Sequence, residues 1–400
     1  MKVRIPRIRL SNLLEWGIVF GIIALSGCVY FTQVERKITT IVLFFLIAIT
    51  MHIKHRKVSR KSFFMAVGMS TLLLFNFVIN GSDMNSSNMM DYTLLFITIM
   101  CIVGCVSLMS LDEFAIKYVR IMEIISVVSL ICFYIQINDV SLVSRIANTS
   151  MLKGYSISWF HTWGWSYIFN RNAGPFWEPG AFQGYLFIAL LFLLRRKDFN
   201  KHYVELALIV FTIITTMSTT GYLLLGLIGV YAMFLYANRS AKATKEKGIV
   251  LFRICVIFIV VMVGVQYLMN SATVANKLTS TNESFAIRIM HLTDSMDMIM
   301  ERPIAGFGIM SSKLIAMWGQ FGVASNSVGL FVILQYFGII VGSIYILLNF
   351  VSTLRVFSPL NGLVICAFFT ILHLTEGLLL YPVYISLIYY SLELNKLEKF

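Results

Sequence analysis

Residues 327–350 read SVGLFVILQYFGIIVGSIYILLNF, a run without a single Asp, Glu, Lys or Arg. A helix needs about 20 consecutive apolar residues to cross roughly 30 Å of hydrocarbon, so this run is long enough to span a membrane. Comparable apolar runs recur along most of the chain. The strands of a membrane barrel would instead alternate apolar and polar residues over segments of about ten residues. The runs therefore predict helices that cross a membrane.

The composition of the 400 residues excludes a soluble globular protein. Hydrophobic residues make up 58%, charged residues 13%, and the mean hydropathy is +0.82, whereas soluble domains have about 45–50% apolar and about 25% charged residues. We predict an all-α, polytopic integral membrane protein with about twelve transmembrane helices. The predicted spans are 12–33, 38–53, 62–81, 93–111, 118–138, 180–195, 203–218, 220–237, 249–268, 327–350, 360–376 and 378–392.

The spacing of these spans divides the chain into five parts. Three are membrane parts: an N-terminal bundle of about five helices at 1–138, central helices at 180–268 and C-terminal helices at 327–400. The other two are long loops on one side of the membrane, 139–179 and 269–326, in which we expect short amphipathic helices. Long loops in a compact chain are usually functional.

The net charge of +13 indicates topology rather than nucleic-acid binding. About 23 of the 32 Lys and Arg residues fall in segments on the side of the N-terminus, and about nine fall on the other side. Basic residues accumulate in cytoplasmic loops, so both termini are expected in the cytoplasm and both long loops outside. The N-terminal segment is interpreted as the first anchored helix, because it lacks the small-residue cleavage site of a signal peptide.

The sequence shows none of the common patterns for nucleotide, metal or thiol chemistry. All six cysteines lie inside apolar runs, so no disulfide framework or thiolate metal site is expected. The inner loops contain no glycine-rich nucleotide loop, no HExxH and no GxSxG. Chemistry or recognition is therefore expected in the outer loops.

The first long loop is rich in aromatic residues and ends in NRNAGPFWEPG at 170–180. The aromatic residues are typical of a membrane-interface belt and also suit stacking on sugar faces. The candidates here are Trp177, Glu178 and Arg171. Glu178 opens the next helix, where the helix dipole favours a carboxylate, so it is either a helix-start carboxylate or a functional group. Arg171 is a candidate partner for Glu178 or for a phosphate.

The second long loop contains an amphipathic pattern over 284–302. At about 100° per residue, one stripe is apolar, and a neighbouring face collects the cations and one polar residue. The apolar stripe comprises Phe285, Ile289, Leu292, Met296 and Ile299, and the cationic face comprises Arg288, His291, Ser295 and Arg302. Such a helix either lies on the membrane with its arginines toward lipid phosphates or holds a diphosphate in a site. Histidine alone at this position is more often structural than catalytic.

Charges are sparse inside the spans. Arg120, Glu123 and Glu205 are expected to pair or snorkel near inner ends, while His373 and Glu376 lie one turn apart near the outer end of a span. An ion-coupled transporter usually needs several ionisable groups at the midplane, so this scarcity disfavours a transporter. The pair at 373 and 376 remains a candidate functional pair.

The stretch Arg171-Asn172-Ala173-Gly174-Pro175-Phe176-Trp177-Glu178-Pro179-Gly180 resembles the "R..G.F.EPG" signature of bacterial O-antigen and capsular polysaccharide polymerases. The later blocks resemble the outer-loop pattern that these polymerases share with O-antigen ligases. They comprise Arg288, the run from Arg302 through Pro303 to Gly306-Phe307-Gly308, Asn326, and Gln335-Tyr336-Phe337-Gly338-Ile339.

The resemblance implies a glycosyltransferase of the bacterial cytoplasmic (inner) membrane, making O-antigen of lipopolysaccharide, capsule or exopolysaccharide. Its substrates would be undecaprenyl-diphosphate-linked oligosaccharides at the outer face. It implies no metal and no cofactor; membrane lipids, a chain-length regulator and a flippase are expected partners, and nucleic acid is not. O-antigen ligase and glycolipid transporter remain the alternatives.

The resemblance also implies site roles. Glu178 is the candidate base and His291 the second choice, while Arg288 is assigned to the diphosphate. Arg171, Arg302, Asn326 and Trp177 are assigned to substrate binding. Ligases are expected to carry a His where this chain has Ser325, which favours a polymerase. Ser218-Thr219-Thr220-Gly221 replaces a familiar serine-arginine pair, so one cation is missing from that turn. No R-x10-G pattern starts at Arg145, Arg171, Arg288 or Arg302.

Overall fold

The computed structural model describes residues 10–146, 156–158, 160–163, 170–240, 293–320 and 328–394. Within these ranges the chain is almost entirely helical. The helices are α1 (Leu10–Leu25), α2 (Arg36–Ile53), α3 (Arg60–Ile79), α4 (Ser86–Leu108), α5 (Leu111–Asn138), α6 (Val140–Ile146), α7 (Pro179–Arg195), α8 (Tyr203–Thr215), α9 (Thr219–Ser240), α10 (293–301), α11 (Ser312–Gln320), α12 (Gly329–Val356), α13 (Gly362–Thr375) and α14 (Pro382–Glu393). A short antiparallel hairpin pairs β1 (Ser156–Ser158) with β2 (His161–Trp163).

The helix lengths confirm an all-α, multi-pass membrane protein. Among the described residues, α2, α3, α4, α5 and α12 are long and apolar enough to cross a membrane. Shorter apolar helices are α1, α7, α8, α13 and residues 219–232 of α9. The predicted span 249–268 lies outside the described residues, so the total of twelve stays a prediction.

Two predicted features differ from the structure. The span 12–33 ends as an α-helix at Leu25, because Gly27 takes a left-handed backbone (φ +115°) and a π-helical turn follows at Tyr30–Val34. The first long loop, expected to hold short amphipathic helices, contains the β-hairpin as well as α6. In the second long loop, α11 is amphipathic as expected, with Leu314 and Trp318 buried and Ile315 exposed.

Helices α7 and α14 form the centre of the bundle. Every residue from Pro179 to Leu194 is buried, as is every residue from Pro382 to Ser391. Both helices are short, and both begin with proline at the first position, where its missing N–H costs nothing. They touch where the Tyr384 hydroxyl donates to the Gly184 carbonyl (3.3 Å). By contrast, α2 and α3 expose large apolar side chains, as lipid-facing helices do.

Ion pairs define one end of the bundle, which we call the basic end (Lys54, Lys117 and Arg195). Glu15 of α1 pairs with Lys54 after α2 and with Lys117 of α5 (3.1 Å), while Arg195 at the end of α7 pairs with Asp112 at the start of α5. At the same end, Glu393 of α14 accepts from Ser62 of α3 (2.8 Å). The starts of α1, α3 and α5 and the ends of α2, α7 and α14 therefore lie at the same end of the bundle, as expected when successive helices cross the membrane in alternating directions. Arg120 and Glu123 also pair as expected (2.7 Å).

The opposite end, which we call the aromatic end, carries Trp177, Phe307 and Tyr381. Here α12 is broken at Gly338 (φ 76°, ψ 175°), and the segment 303–308 fills the break. The Phe307 and Gly308 N–H groups donate to the carbonyls of Gln335 and Tyr336 (2.8 and 3.0 Å). Backbone groups freed inside a membrane helix must find partners within the protein, and segment 303–308 provides them. Gly306 and Gly308 have positive φ, which allows the close turn of this segment.

Candidate active site at the aromatic end

The segment that leads into α7 follows a fixed path. The buried Asn172 donates from its backbone N–H to the Thr215 carbonyl (3.0 Å), and its Oδ1 accepts from the Gly174 N–H (2.9 Å). The Val29 N–H then donates to the Pro175 carbonyl (2.8 Å). Gly174 has φ +53°, a conformation that glycine adopts at little cost. The loop is therefore anchored to α8 and to the end of α1 before it reaches Trp177.

Trp177 is half-buried in a small aromatic cluster. Its ring stacks on Tyr381, which precedes α14, with centroids 5.1 Å apart and planes 22° apart. Gly27 lies against the same ring, and a Cβ at that position would overlap it. The left-handed turn that ends α1 therefore makes room for Trp177. Three distant parts of the chain, near residues 27, 177 and 381, thus determine where this indole lies.

Glu178 occupies the N-cap position of α7, and its side chain is exposed. The carboxylate makes no hydrogen bond to the first turn of the helix. Instead, Oε1 accepts from the Trp177 indole N–H (2.8 Å). In the described part of the chain, the predicted partnership with Arg171 is thus replaced by one with Trp177. This side chain does not act as an ordinary helix cap and is free to meet a ligand.

A second carboxylate, Glu376, lies on the other side of the α7 N-terminus. It is 5% exposed, and a Cβ at Gly180 would overlap its Oε1. The first turn of a helix carries unpaired N–H groups and a partial positive charge, which favour a carboxylate there. The Glu376 carbonyl also lies against Gly329, at the start of α12. The buried His373 packs on the rings of Phe369 and Tyr384, so a functional pair with Glu376 stays a prediction.

Arg171 reaches the turn between α8 and α9. Its Nε donates to the Thr216 carbonyl (3.1 Å), and the Gln136 amide donates to the Arg171 carbonyl (3.4 Å). This is the turn at which the sequence lacks the arginine expected from the serine-arginine pair. A guanidinium from the first long loop therefore lies where the α8–α9 turn itself supplies none.

Arg302 is held on the far side of the aromatic end. Its guanidinium pairs with Asp83 (2.7 Å), donates to Asn80 Oδ1 (3.0 Å) and lies over the Phe307 ring, 5.3 Å from the centroid. The side chain is 30% exposed, so part of it remains accessible. Its contacts give it a structural role in fixing segment 303–308 to the α3–α4 loop. Its assignment to substrate stays a prediction.

The buried face of α10 differs from the predicted apolar stripe. Ser295, Met298 and Ile299 are buried, whereas Met296, placed in the stripe, is 52% exposed. The buried Gln335 amide, near the break in α12, donates to the Met298 sulfur (3.6 Å), so Met298 rather than Met296 faces the protein. The face of Ser295 and Arg302, predicted as the cationic face, thus turns toward the protein. Arg288, His291 and Asn326 lie outside the described residues.

His161, in the β-hairpin of the first long loop, is buried. Its Nε2 lies 3.4 Å from Gln136 Oε1, and its ring packs edge-on against Trp163. Burial disfavours the imidazolium and lowers the pKa of His161 to about 3. The next residue, Thr162, donates its N–H to the Gly174 carbonyl (2.7 Å). A neutral histidine is therefore part of the support of the segment that carries Trp177 and Glu178.

Comparison with known proteins gives one family. Residues 205–346 match the family model described as O-antigen ligase. This match covers less than half of the chain and agrees with the resemblance to the O-antigen polymerase/ligase superfamily. No curated protein and no solved structure matches the chain.

The matched block of this superfamily runs from α8 to the middle of α12. It includes the second long loop with Arg288, His291, Arg302 and Asn326, together with the break at Gly338. Arg171, Trp177 and Glu178 precede it, and Tyr381 and Glu376 follow it. The family match therefore covers the second long loop, while Trp177, Glu178, Tyr381 and Glu376 lie outside it.

The structure brings Trp177 and Glu178 into direct contact and holds Arg171 at a neighbouring turn of the same end. Sequence reasoning missed Tyr381, the stacking partner. A signal for it exists, because both central helices open alike: Trp177-Glu178-Pro179 begins α7, and Tyr381-Pro382 begins α14. Each of the two buried helices thus starts at a proline that follows an aromatic residue by one or two positions, and both aromatic residues lie at the aromatic end.

Proposed function

We propose that this chain is a polysaccharide polymerase, a glycosyltransferase that joins undecaprenyl-diphosphate-linked repeat units on the outer face of the bacterial cytoplasmic membrane. The family match supports action on lipid-linked oligosaccharides. The observation that carries the proposal is the exposed Glu178 carboxylate bonded to Trp177, whose ring stacks on Tyr381 at the aromatic end. An aromatic platform beside a carboxylate suits a sugar whose hydroxyl must lose a proton.

In the proposed reaction, an acceptor hydroxyl oxygen attacks the anomeric carbon of the donor sugar. The bond between that carbon and the diphosphate oxygen breaks, and its electron pair leaves with undecaprenyl diphosphate. Glu178 takes the hydroxyl proton; a positioned general base contributes about 10²–10⁴-fold to such reactions. Arg288 stabilises the departing diphosphate, with Arg171 and Arg302 as further cations, since a guanidinium keeps its charge and binds phosphate oxygens in two places.

The remaining roles follow from the same step. Trp177 and Asn326 are assigned to the glycan, and His291 is the second candidate base. The helical periodicity of the sequence puts Arg288 and His291 on the same face as Ser295 and Arg302, and that face is buried at Ser295. A flippase and a chain-length regulator are the proposed protein partners.

The test compares surface polysaccharide on a gel from cells that carry the intact gene, a deletion, Glu178→Gln or Glu301→Gln. The control removes an exposed carboxylate that pairs with Lys313 (2.7 Å), away from Trp177. We expect single repeat units from the deletion and from Glu178→Gln, and normal ladders from the control. A normal ladder in the deletion would refute the polymerase, and a normal ladder in Glu178→Gln alone would remove Glu178 from the mechanism.

The second candidate is an O-antigen ligase, which the description of the matching family favours. Ser325, in place of the histidine expected in ligases, favours a polymerase instead. Loss of a ligase would leave full-length polymer on its carrier. A glycolipid transporter would strand repeat units on the inner leaflet, so the location and length of the accumulated glycan distinguish all three.

A further inference from the structure

Helix α10 exposes an apolar stripe that has no role in the proposed reaction. Met296 and Met300 lie one turn apart on the same side of the helix, and their side chains are 52% and 64% exposed. Ile304, which follows four residues after Met300, is 73% exposed. We call these three residues the methionine face. An exposed apolar stripe of this kind meets either a membrane or another protein.

The methionine face is distinct from the other two sides of α10. At about 100° per residue, it lies between the side that packs on the protein and a side that carries exposed carboxylates. The packed side comprises Ser295, Met298 and Ile299, and the acidic side comprises Asp297 and Glu301. A helix with one apolar and one charged exposed side suits the boundary between an apolar phase and water.

The methionine face continues a lipid-facing row of α12. Beyond its break, α12 exposes a row of large apolar side chains, Ile340, Ile344 and Leu347 (60%, 58% and 60%). The Ile339 N–H donates to the Pro303 carbonyl (2.6 Å), which places Ile304 beside the start of this row. On the other flank, the Asn76 amide of the lipid-facing helix α3 donates to the Ala305 carbonyl (2.8 Å). Ile304 therefore extends a surface that already faces lipid.

The length of α12 indicates how deep this contact lies. From the break at Gly338 to Arg355 the helix rises about 26 Å, close to the roughly 30 Å of hydrocarbon in a bilayer. Arg355 is exposed, and the hydroxyls of Ser352 and Ser391 lie 3.0 Å apart near the basic end. Because a basic residue marks the boundary of the hydrocarbon at that end, the break lies near the boundary at the aromatic end. The methionine face follows directly, at the level of the headgroups.

We propose that the methionine face rests among the acyl chains just below the headgroups of the leaflet at the aromatic end, and thereby ties the second long loop to the membrane surface. The apolar faces of interfacial helices enter about 5–10 Å into this region. A docked protein is the competing occupant, but stable protein interfaces take about 20–30 residues a side, and this face has three. The contact involves none of the groups assigned to the proposed reaction.

Single cysteines labelled with the small fluorophore bimane test this placement in the full-length chain. Met300→Cys reports on the methionine face, and Asp297→Cys is the matched control on the acidic side of the same helix, since both side chains are exposed. Ile344→Cys is the lipid reference on α12, and the parent, with its six native cysteines, gives the background. The proteins are placed in phosphatidylcholine nanodiscs. Brominated acyl chains quench bimane from the lipid, and iodide quenches it from the water.

Met300→Cys should lose more fluorescence with bromines at carbons 6 and 7 of the acyl chain than at carbons 11 and 12. Ile344→Cys, about 9 Å further along α12 from the break, should show the reverse. Asp297→Cys should respond mainly to iodide. Iodide quenching of Met300→Cys equal to that of Asp297→Cys would overturn the proposal, and so would equal bromine quenching of the two. Protection of Met300→Cys from both quenchers would also overturn it, because a protein would then cover this face.

Discussion

Trp177 makes two contacts that substitutions can separate: the stack on Tyr381 and the hydrogen bond to Glu178. Trp177→Phe keeps an aromatic ring and loses the indole N–H, whereas Trp177→Ala loses both. A hydrogen bond to a charged group is worth about 1.5–3 kcal/mol, and an aromatic pair adds about 0.5–1.5 kcal/mol. We expect shorter polysaccharide ladders from Trp177→Phe and only single units from Trp177→Ala.

Membrane insertion is verified for both variants by quantifying the protein in the membrane fraction. Tyr381→Phe is the control, because it keeps the stacking ring. A normal ladder from Trp177→Ala would show that the aromatic pair takes no part in polymerisation.

His161 makes the first long loop sensitive to acid. Its pKa is about 3 in the folded protein and about 6.5 in an unfolded chain, so the unfolded state binds the extra proton. Stability is therefore unaffected above about pH 6.5 and falls by about 1.4 kcal/mol per unit between about pH 6 and pH 4. The protection factors of residues 160–163 and 172–176, which correct for the slower intrinsic exchange at low pH, should fall over this range in the parent and much less in His161→Gln. An equal fall in both would contradict the assignment.

At the scale of elements, the break in α12 depends on Gly338. Its backbone (φ 76°, ψ 175°) lies in a region essentially restricted to glycine, and a Cβ would overlap the Ile304 carbonyl. Gly338→Ala should cost at least about 1–3 kcal/mol. We expect a lower melting temperature and faster hydrogen exchange across 303–309, while Gly229→Ala, in open space on α9, leaves both unchanged. Unchanged protection of 303–309 in Gly338→Ala would contradict the role given to the break.

The sequence predicts elements where the signal is local. Pro179 and the apolar run after it predict α7 almost to the residue, because proline at the first position and hydrophobicity both act within one segment. The end of α1 is not local: apolar residues continue past Leu25, and the contacts of Trp177 and Pro175 select the turn at Gly27. The predicted apolar stripe of α10 is wrong at Met296 for the same reason, since a contact with α12 orients α10.

At the scale of the whole molecule, a buried ion pair joins the starts of α1 and α5. The side chains of Glu15 and Lys117 are 5% and 9% exposed. Glu15→Gln leaves a buried ammonium without this partner, which costs about 3–5 kcal/mol. Thermal unfolding in detergent should show a large decrease, and Lys117→Met in the same chain should restore most of it. Glu301→Gln breaks an exposed pair worth about 0–1 kcal/mol, and an equal decrease there would contradict the distinction.

The arrangement of the site also belongs to this scale. Charge placement and span lengths predict which loops share one side, so Arg171, Glu178 and Arg302 were expected together. The sequence does not predict the contacts of Trp177 with Tyr381, of Arg171 with Thr216 or of Arg302 with Asp83, because only helix packing brings these elements close. The absence of a metal or cofactor, implied by the family resemblance, stays a prediction.

The most direct test uses purified protein, reconstituted in liposomes with one undecaprenyl-diphosphate-linked repeat unit as the only glycan. We predict glycans of two and more units and the release of one undecaprenyl diphosphate for each new linkage. Glu178→Gln and Arg288→Ala should lose both products, and Glu301→Gln should keep them. Undecaprenyl diphosphate release without longer glycans, or equal yields from all four proteins, would contradict a polymerase with its site at the aromatic end.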